Sequence, residues 1–311
     1  MNDGVLIFCD KSNSHGQTIA TALRNIGAQS TLVDRDFDLD FSFSPQNSGD
    51  FFKLADSNRV ILWMFKDNWP DDIDSNVTLE RDFCRTEWMH ALLGLQQLDR
   101  DTLWIDKKTN KDKASYKVYA LKKALESGLL IPPSIVSNSY DEIENFTIAH
   151  DEVVYKTLSS PFIGNKIVYT SLMTRHDIDS FRNSCKIAPN LIQKYIKKKY
   201  ELRLIWCLGS ISAIGIDSQN YDHAVIDWRK ESLRREMFFE TTIPKDLVHK
   251  LNLFMRLIGL NYGVIDMIKT DEDDYIFLDI NPTGQWDWID ALIGSNTAHN
   301  VANAIVEYLR Q

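Results

Sequence analysis

Two carboxylates stand where a folding chain has reason to avoid them. Asp266 interrupts the apolar run "GVIDMI" (263–268) and Asp279 interrupts "IFLDIN" (276–281). An unpaired carboxylate inside a buried strand is strongly unfavourable. The runs flank the acidic turn "DEDD" and read as a hairpin. Asp279 and Asn281, two residues apart, share one strand face. If the strands pair, Asp266 joins them, and three hard oxygen donors of the kind that hold magnesium face one cleft, with positions left for phosphate oxygens and water. A plainer account stands beside this one: an acid closes a strand and Asn281-Pro282 opens a turn. The second acid, upstream in the partner strand, tips the balance toward a metal.

A metal that carries phosphates needs cations near it. Lys156 interrupts the apolar run "VVYKTL", and an interior lysine needs an anion unless it snorkels to water from an edge. Lys117 opens a helix after a polar stretch and is uninformative alone. The segment "IQKYIKKKYELRL" (192–204) joins two strands through a charged link, where backbone could read a purine while Glu201 accepts a ribose hydroxyl. Arg203 lies on the same strand face as Glu201, and a simple Glu–Arg pair is the competing explanation.

The elements that must position these groups are legible as patterns. "VLIFC", turn chemistry, then "QTIATALRNIG" read as strand, turn and helix, with "STLVD", "RVILWMF" and "TLWID" as further strands around a helix near 79–98. That alternation predicts a small parallel α/β domain. It has no GxGxxG and no GxxxxGK[ST], so neither a dinucleotide fingerprint nor a P-loop is present. The polar stretch 106–116 is the expected boundary, followed by a helix ending at Gly128 and an extended "LLIPPSIVSN". A helix near 140–146, strands at 152–158 and 166–173, a helix from Arg175 and a strand at 190–196 follow. From 201 strands dominate, with one helix at 245–259, which predicts α+β architecture in the larger part.

Composition bounds the function. The chain has 311 residues and a net charge of −9, which argues against non-specific binding to nucleic acid or an anionic membrane. Two basic clusters, 194–203 and 228–235, run against that charge; they suit phosphates or an acidic peptide, and equally suit solvated faces. The start "MNDGVLIFCD" lacks the basic segment of a signal peptide and no run reaches membrane-spanning length, so a cytoplasmic protein is expected. Four scattered cysteines without a CxxC pair fit buried free thiols in a reducing compartment.

Two lysines, an acid in a linking segment, then Asp, Asp and Asn on a hairpin: in this order the set resembles the ATP-grasp ligases. The resemblance covers roughly residues 110–311. Within that superfamily the chain is most similar to the peptide maturases that cyclise ribosomally made precursors, the microviridin-type ligases or graspetide synthetases. The match is carried by "NKDKASYKVYALKKALESGLLIPPSIVSN", "LIQKYIKKKYELRL", "IDWR" (226–229) and "YIFLDINPTGQWDWI". The last two discriminate, because amino-acid and dipeptide ligases share the acid-x-Asn pair without Gly-Gln-Trp-x-Trp.

The resemblance implies an ATP-grasp fold of three parts: an N-terminal α/β domain (1–109), a central lid subdomain (110–194) and a C-terminal subdomain carrying the metal site (195–311). It implies that Lys117 and Lys156 contact ATP phosphates. Gln193, Tyr195, Ile196, Glu201 and Arg203 would form the nucleotide site, and Asp266, Asp279 and Asn281 would hold Mg2+. Arg229 would face the transferred phosphoryl group, with Lys156 as the second catalytic cation. The activity implied is ATP-dependent activation of Asp or Glu side chains of a precursor peptide, leader plus acidic core, as acyl-phosphates. Closure to lactones with Thr or Ser, or lactams with Lys, would follow, and the family expectation is a homodimer. Two other readings stay open: a ligase adding an amino acid to a small peptide or metabolite, and a non-catalytic ATP-binding regulatory protein. The chain departs from the family in having Asp279 where Glu is usual, and "ILWMFKDNW" (61–69) where a Trp-Tyr-Arg-Arg stretch is usual, with Lys66 as a replacement cation. "WID" also stands where the family tends to have Trp-x-Asn before the lysine helix, so the resemblance assigns Asp106 no role. Trp286 and Trp288 are expected to pack the turn against the core or to line the peptide cleft.

Overall fold

The computed structural model describes residues 4–10, 12–34, 58–63, 79–98, 102–159, 162–163, 166–231 and 233–311. Lys66 and most of "ILWMFKDNW" lie outside them. The first sheet is wholly parallel, with β1 (Gly4–Phe8) at its centre, β2 (Gln29–Val33) on one side, and β3 (Asn58–Trp63) then β4 (Leu103–Ile105) on the other. Helix α1 (Ser14–Asn25) starts where Asn13 caps it, its side chain accepting the Gly16 N–H at 2.9 Å. Helix α2 (Leu79–Leu98) precedes β4. This is the α/β unit the alternation predicts.

The polar stretch expected as the boundary folds as helix α3 (Lys108–Ser115). It buries Lys111 and Ala114, so tertiary packing overrides its polar composition. Helix α4 (Lys117–Glu126) follows at once and ends before Gly128, whose φ of +82° suits glycine. The second sheet is antiparallel: β5 (Ser134–Ser137), β6 (Val153–Lys156), β9 (Ser171–Met173) and β10 (Asn190–Lys194), ordered β5-β10-β6-β9. Between its strands lie α5 (Tyr140–His150), the small hairpin β7 (Phe162–Ile163) and β8 (Lys166–Ile167), and α6 (Arg175–Ser180). The single strand expected over 166–173 is thus two short ones.

The third sheet, antiparallel throughout, is formed by β11 (Tyr200–Cys207), β12 (Ser210–Ile216), β13 (Phe238–Thr241), β14 (Tyr262–Lys269) and β15 (Tyr275–Asn281), ordered β13-β12-β11-β14-β15. Helix α7 (Lys245–Ile258) buries Leu247, Leu251, Phe254, Met255 and Ile258, one face at helical spacing, against the side of the sheet carrying Leu202, Leu204, Met267 and Phe277. On the opposite side Ile205, Cys207, Ile214 and Val264 join Val5 and Ile7 of β1 and Leu23 of α1 in one core. Helices α8 (Asp287–Ile293) and α9 (Thr297–Leu309), unforeseen from the sequence, close that core, and α9 packs on α1. Strand alternation therefore sends Glu201 and Arg203 to the face that, further along β11, becomes hydrophobic core. The polar half of this face is the site.

Candidate active site

Three strands place one residue each in a single row. Arg203 on β11 is in register with Asp266 on β14, and Asp266 with Asp279 on β15. Directly opposed residues of antiparallel strands share a face, so the two carboxylates expected to share a cleft do so. The Arg203 guanidinium holds the first: Nη1 donates to Asp266 Oδ1 at 3.0 Å, and Nη2 donates to the Gln285 carbonyl at 3.0 Å. Lys117, at the start of α4, pairs with Asp279, whose Oδ1 accepts the Ile280 N–H at 3.0 Å. Burial pushes the Asp266 carboxyl above the ordinary carboxylate range; Arg203 pulls it back and the charge of Asp279 pushes it up again.

Asn281 sits on the same face but is turned to its own loop, its Oδ1 accepting the Thr283 N–H at 3.0 Å. Gly284 makes the loop's close return to β14: a Cβ there would lie 2.5 Å from the Cβ of Val264. Among the described residues no three His, Cys, Asp or Glu side chains gather as a metal site. The donor set is two carboxylates and an amide. Its chemistry suits a hard divalent cation, and the like-charge pressure on Asp266 is what such a cation would relieve.

Lys156 ends β6 of the second sheet, within electrostatic reach of Asp279 and Lys117. Burial pushes its ammonium down to about 8, Asp279 and Glu201 pull it up, and Lys117 and Lys198 push it down. These four neighbours come from α4, β11, β15 and the segment between β10 and β11, so the fold assembles cations and acids that lie far apart in sequence.

The end of β10 and the segment after it offer polar atoms without partners among the described residues. The Gln193 side chain donates to Ser134 Oγ at 2.8 Å, while its Oε1 is buried with no partner among the described residues. The Tyr195 N–H is taken by the Glu152 carbonyl at 2.9 Å, and Ile196, next along, makes no such bond among the described residues. Glu201 and Arg203 do not pair with one another. Glu201 Oε1 accepts from Lys198 Nζ at 2.6 Å and Ser218 Oγ at 2.9 Å. Burial raises the Glu201 carboxyl, and Lys198 works against that. Lys198 is buried, so the reading of its cluster as a solvated face does not hold at this position. A lysine three residues before an acid in an irregular link gives no periodic signal to find it by.

Arg229 lies in a single helical turn, Trp228–Lys230. Its Nε donates to Asp227 Oδ1 at 2.8 Å and its Nη2 to Asp227 Oδ2 at 2.6 Å. The Asp227 pair holds the guanidinium further above its ordinary range, and the more distant charges of Asp266 and Glu201 act the same way. Asp227, which sequence reasoning passed over, also accepts the Thr170 N–H at 3.2 Å. Burial would raise its carboxyl, and the bonds from Arg229 more than reverse that.

Both tryptophans of "GQWDW" pack. Trp286 is fully buried, edge-on to His15 at 4.6 Å, and its indole N–H donates to Tyr262 Oη at 3.0 Å. Tyr262 in turn donates to the Gly284 carbonyl at 2.5 Å. A cavity of about 30 Å³ lies behind this turn, bounded by His15, Tyr262, Gly284 and Gln285 among others. Burial keeps His15 neutral, its imidazole pushed down to about 4. Asp106, just after β4, ties the first sheet to the third, accepting the Asn261 N–H at 2.8 Å and the Tyr262 N–H at 2.9 Å.

No protein-family model and no curated protein match this chain. Solved structures do. A RiPP-associated ATP-grasp ligase of Chryseobacterium gregarium, in complex with ADP and a leader and core peptide, superposes with TM-score 0.83 at 21% identity, over 98% of this chain and 97% of that one. The macrocyclase MdnC of Microcystis aeruginosa MRC, bound with precursor peptide MdnA, gives TM-score 0.76 at 25% identity over 98% and 99%. The ATP-grasp ligase PsnB with a minimal precursor gives 0.78 at 16% over 99% and 100%.

Proposed function

From the premise that the chain has the ATP-grasp fold over nearly its whole length, we propose that it is an ATP- and Mg2+-dependent ligase that closes rings in a ribosomally made peptide. The observation that carries this reading is the row Arg203–Asp266–Asp279 faced by Lys156 and Lys117. Few chemistries other than a polyphosphate with its metal use two opposed carboxylates ringed by that many cations.

The site's residues divide the work. Asp266, Asp279 and Asn281 would hold Mg2+, which when bound offsets phosphate charge. Ile196, Gln193 and Tyr195 line the place for the base, and Glu201, with Oε1 occupied, keeps Oε2 for a ribose hydroxyl. Lys117 and Lys156 meet phosphate oxygens. Lys117 would leave Asp279 to do so, and Asn281 would leave Thr283 to join Asp266 and Asp279 in holding Mg2+. A peptide Asp or Glu oxygen then attacks the γ-phosphorus and the bond to ADP breaks. Lys156 and Arg229 neutralise charge on the moving phosphoryl group. In the second step a Thr or Ser hydroxyl, or a Lys amine, attacks the acyl carbon. The bond to phosphate breaks, and the nucleophile loses its proton.

Support for a peptide rather than a free amino acid comes from the three similar structures and from "GQWDW", which here builds the wall beside the metal strand. The precursor is expected to carry a leader and an acidic core, and the enzyme to be a cytoplasmic homodimer; sedimentation of the purified protein reads the latter. Among the described residues no helix is long and apolar enough to cross a membrane. The test is to incubate the protein with ATP, Mg2+ and the product of a neighbouring short reading frame rich in Thr, Ser, Asp and Glu. The peptide should lose one water mass per ring. Formation of ADP without that loss sinks the reading, and ADP formation driven by free amino acids alone favours the small-substrate ligase.

A further inference from the structure

The second tryptophan of "GQWDW" is tied to the turn that carries Arg229. Trp288, in the first turn of α8, stacks on Trp228 with ring centroids 5.8 Å apart and planes 24° from parallel. Phe238 meets both indoles edge-on, at 5.8 Å and 5.4 Å. Trp228 begins the three-residue turn that carries Arg229. A turn of that length is not stable alone. Its fixed points are the Asp227 cap and the packing of Trp228 into the shared core.

The path on the other side is equally short. From Asn281 the chain makes the loop closed by Gly284, buries Trp286 and enters α8. A stacked aromatic pair contributes about 0.5–1.5 kcal/mol beyond its buried area, and a guanidinium displaced by about an ångström from a developing charge loses much of its effect.

We propose that Trp288 is a positioning residue for Arg229, acting through Trp228 to hold the guanidinium turn at a fixed place relative to the Asp279–Asn281 strand end. The proposal rests on the ligase reading for the role of Arg229, and only for that. It also accounts for the spacing of the motif. Trp286 fixes the loop behind the metal strand, and Trp288, two residues on, fixes the arginine turn.

Three measurements on the full chain test it. Stacked indoles give an exciton couplet in far-ultraviolet circular dichroism, expected in the unmodified protein and lost in Trp288→Phe and in Trp228→Phe. In ring closure Trp288→Ala should lower kcat about tenfold or more, with KM for ATP within about twofold and Trp288→Phe recovering most of the loss. On an Arg229→Lys background Trp288→Ala should cost little further. Equal losses with and without Arg229 would overturn the proposal, because the tryptophan would then act elsewhere. The third measurement needs no activity. The Arg229 Nε–H, bonded to Asp227, should exchange with solvent faster in Trp288→Ala by nitrogen-resolved magnetic resonance, and unchanged exchange would contradict the proposal. If the unmodified protein closes no ring, the ligase reading fails, and the exchange measurement still decides whether Trp288 holds Arg229.

Discussion

Arg203 and Asp266 face each other across β11 and β14 with Nη1 3.0 Å from Oδ1, and the same guanidinium binds the Gln285 carbonyl of the loop that follows β15. One side chain therefore holds both a candidate metal ligand and the loop beyond it. The arginine is largely buried and the aspartate partly open, at 11% and 37% side-chain exposure, which places the pair between the surface and the buried regimes. Arg203→Met should destabilise the protein by about 1–3 kcal/mol in chemical denaturation. Adding Asp266→Asn should restore part of that loss, because it removes the stranded charge. Full additivity of the two changes would show that the pair is not coupled.

Lys156 is held against burial. Its folded-state pKa, about 8, lies below the ordinary lysine value, so its charge costs stability wherever the folded chain keeps it protonated. That cost is fully present below pH 8 and is relieved as pH rises toward the unfolded value near 10.5. Lys156→Met should therefore raise the melting temperature at pH 7 by about 2 °C or more. The advantage should shrink above pH 8, while ATP affinity falls at least about tenfold. A variant both less stable and equally avid for ATP would remove Lys156 from the site.

Asp106 is the opposite case. Burial pushes its carboxyl up to about 7 although two backbone N–H groups and Lys111 pull it down. Folded Asp106 thus binds its proton more tightly than the unfolded chain does. Its contribution to stability is greatest at low pH and is lost as pH climbs from about 4 to about 7. In Asp106→Asn that dependence should vanish. The gap between the two proteins in denaturation at pH 4.5 and pH 7.5 should narrow at the higher pH by about 1 kcal/mol or more. His15, with its pKa lowered to about 4, works in the other direction between about pH 4 and 6.5, but it is common to both proteins and cancels in the comparison.

The charged row was legible in the sequence because a carboxylate inside an apolar strand is a violation, and strand periodicity says which way it points. Asp266, Asp279 and Lys156 each announced themselves this way, and the hairpin between β14 and β15 followed from the turn. The partners were not legible. Which cation meets which acid is set by sheet register and by helix placement: Lys117 reaches Asp279 across 162 positions, and Arg203 takes Asp266 rather than Glu201. Lys198 and Asp227 sit in irregular segments, where no period marks a buried side. Helix α3 was hidden by its polar composition, since only its contacts with α4, β15 and α7 reveal which face it buries.

The central claim is that the phosphoryl group goes from ATP to a carboxylate of the peptide. The most direct measurement is to prepare the precursor with heavy oxygen in its Asp and Glu side chains, run one round of ring closure, and weigh the released phosphate. The account predicts one heavy oxygen in the phosphate for each ring closed, carried off when the acyl–oxygen bond breaks. Unlabelled phosphate alongside closed rings would contradict it, because the carboxylate would then have been activated by some other route.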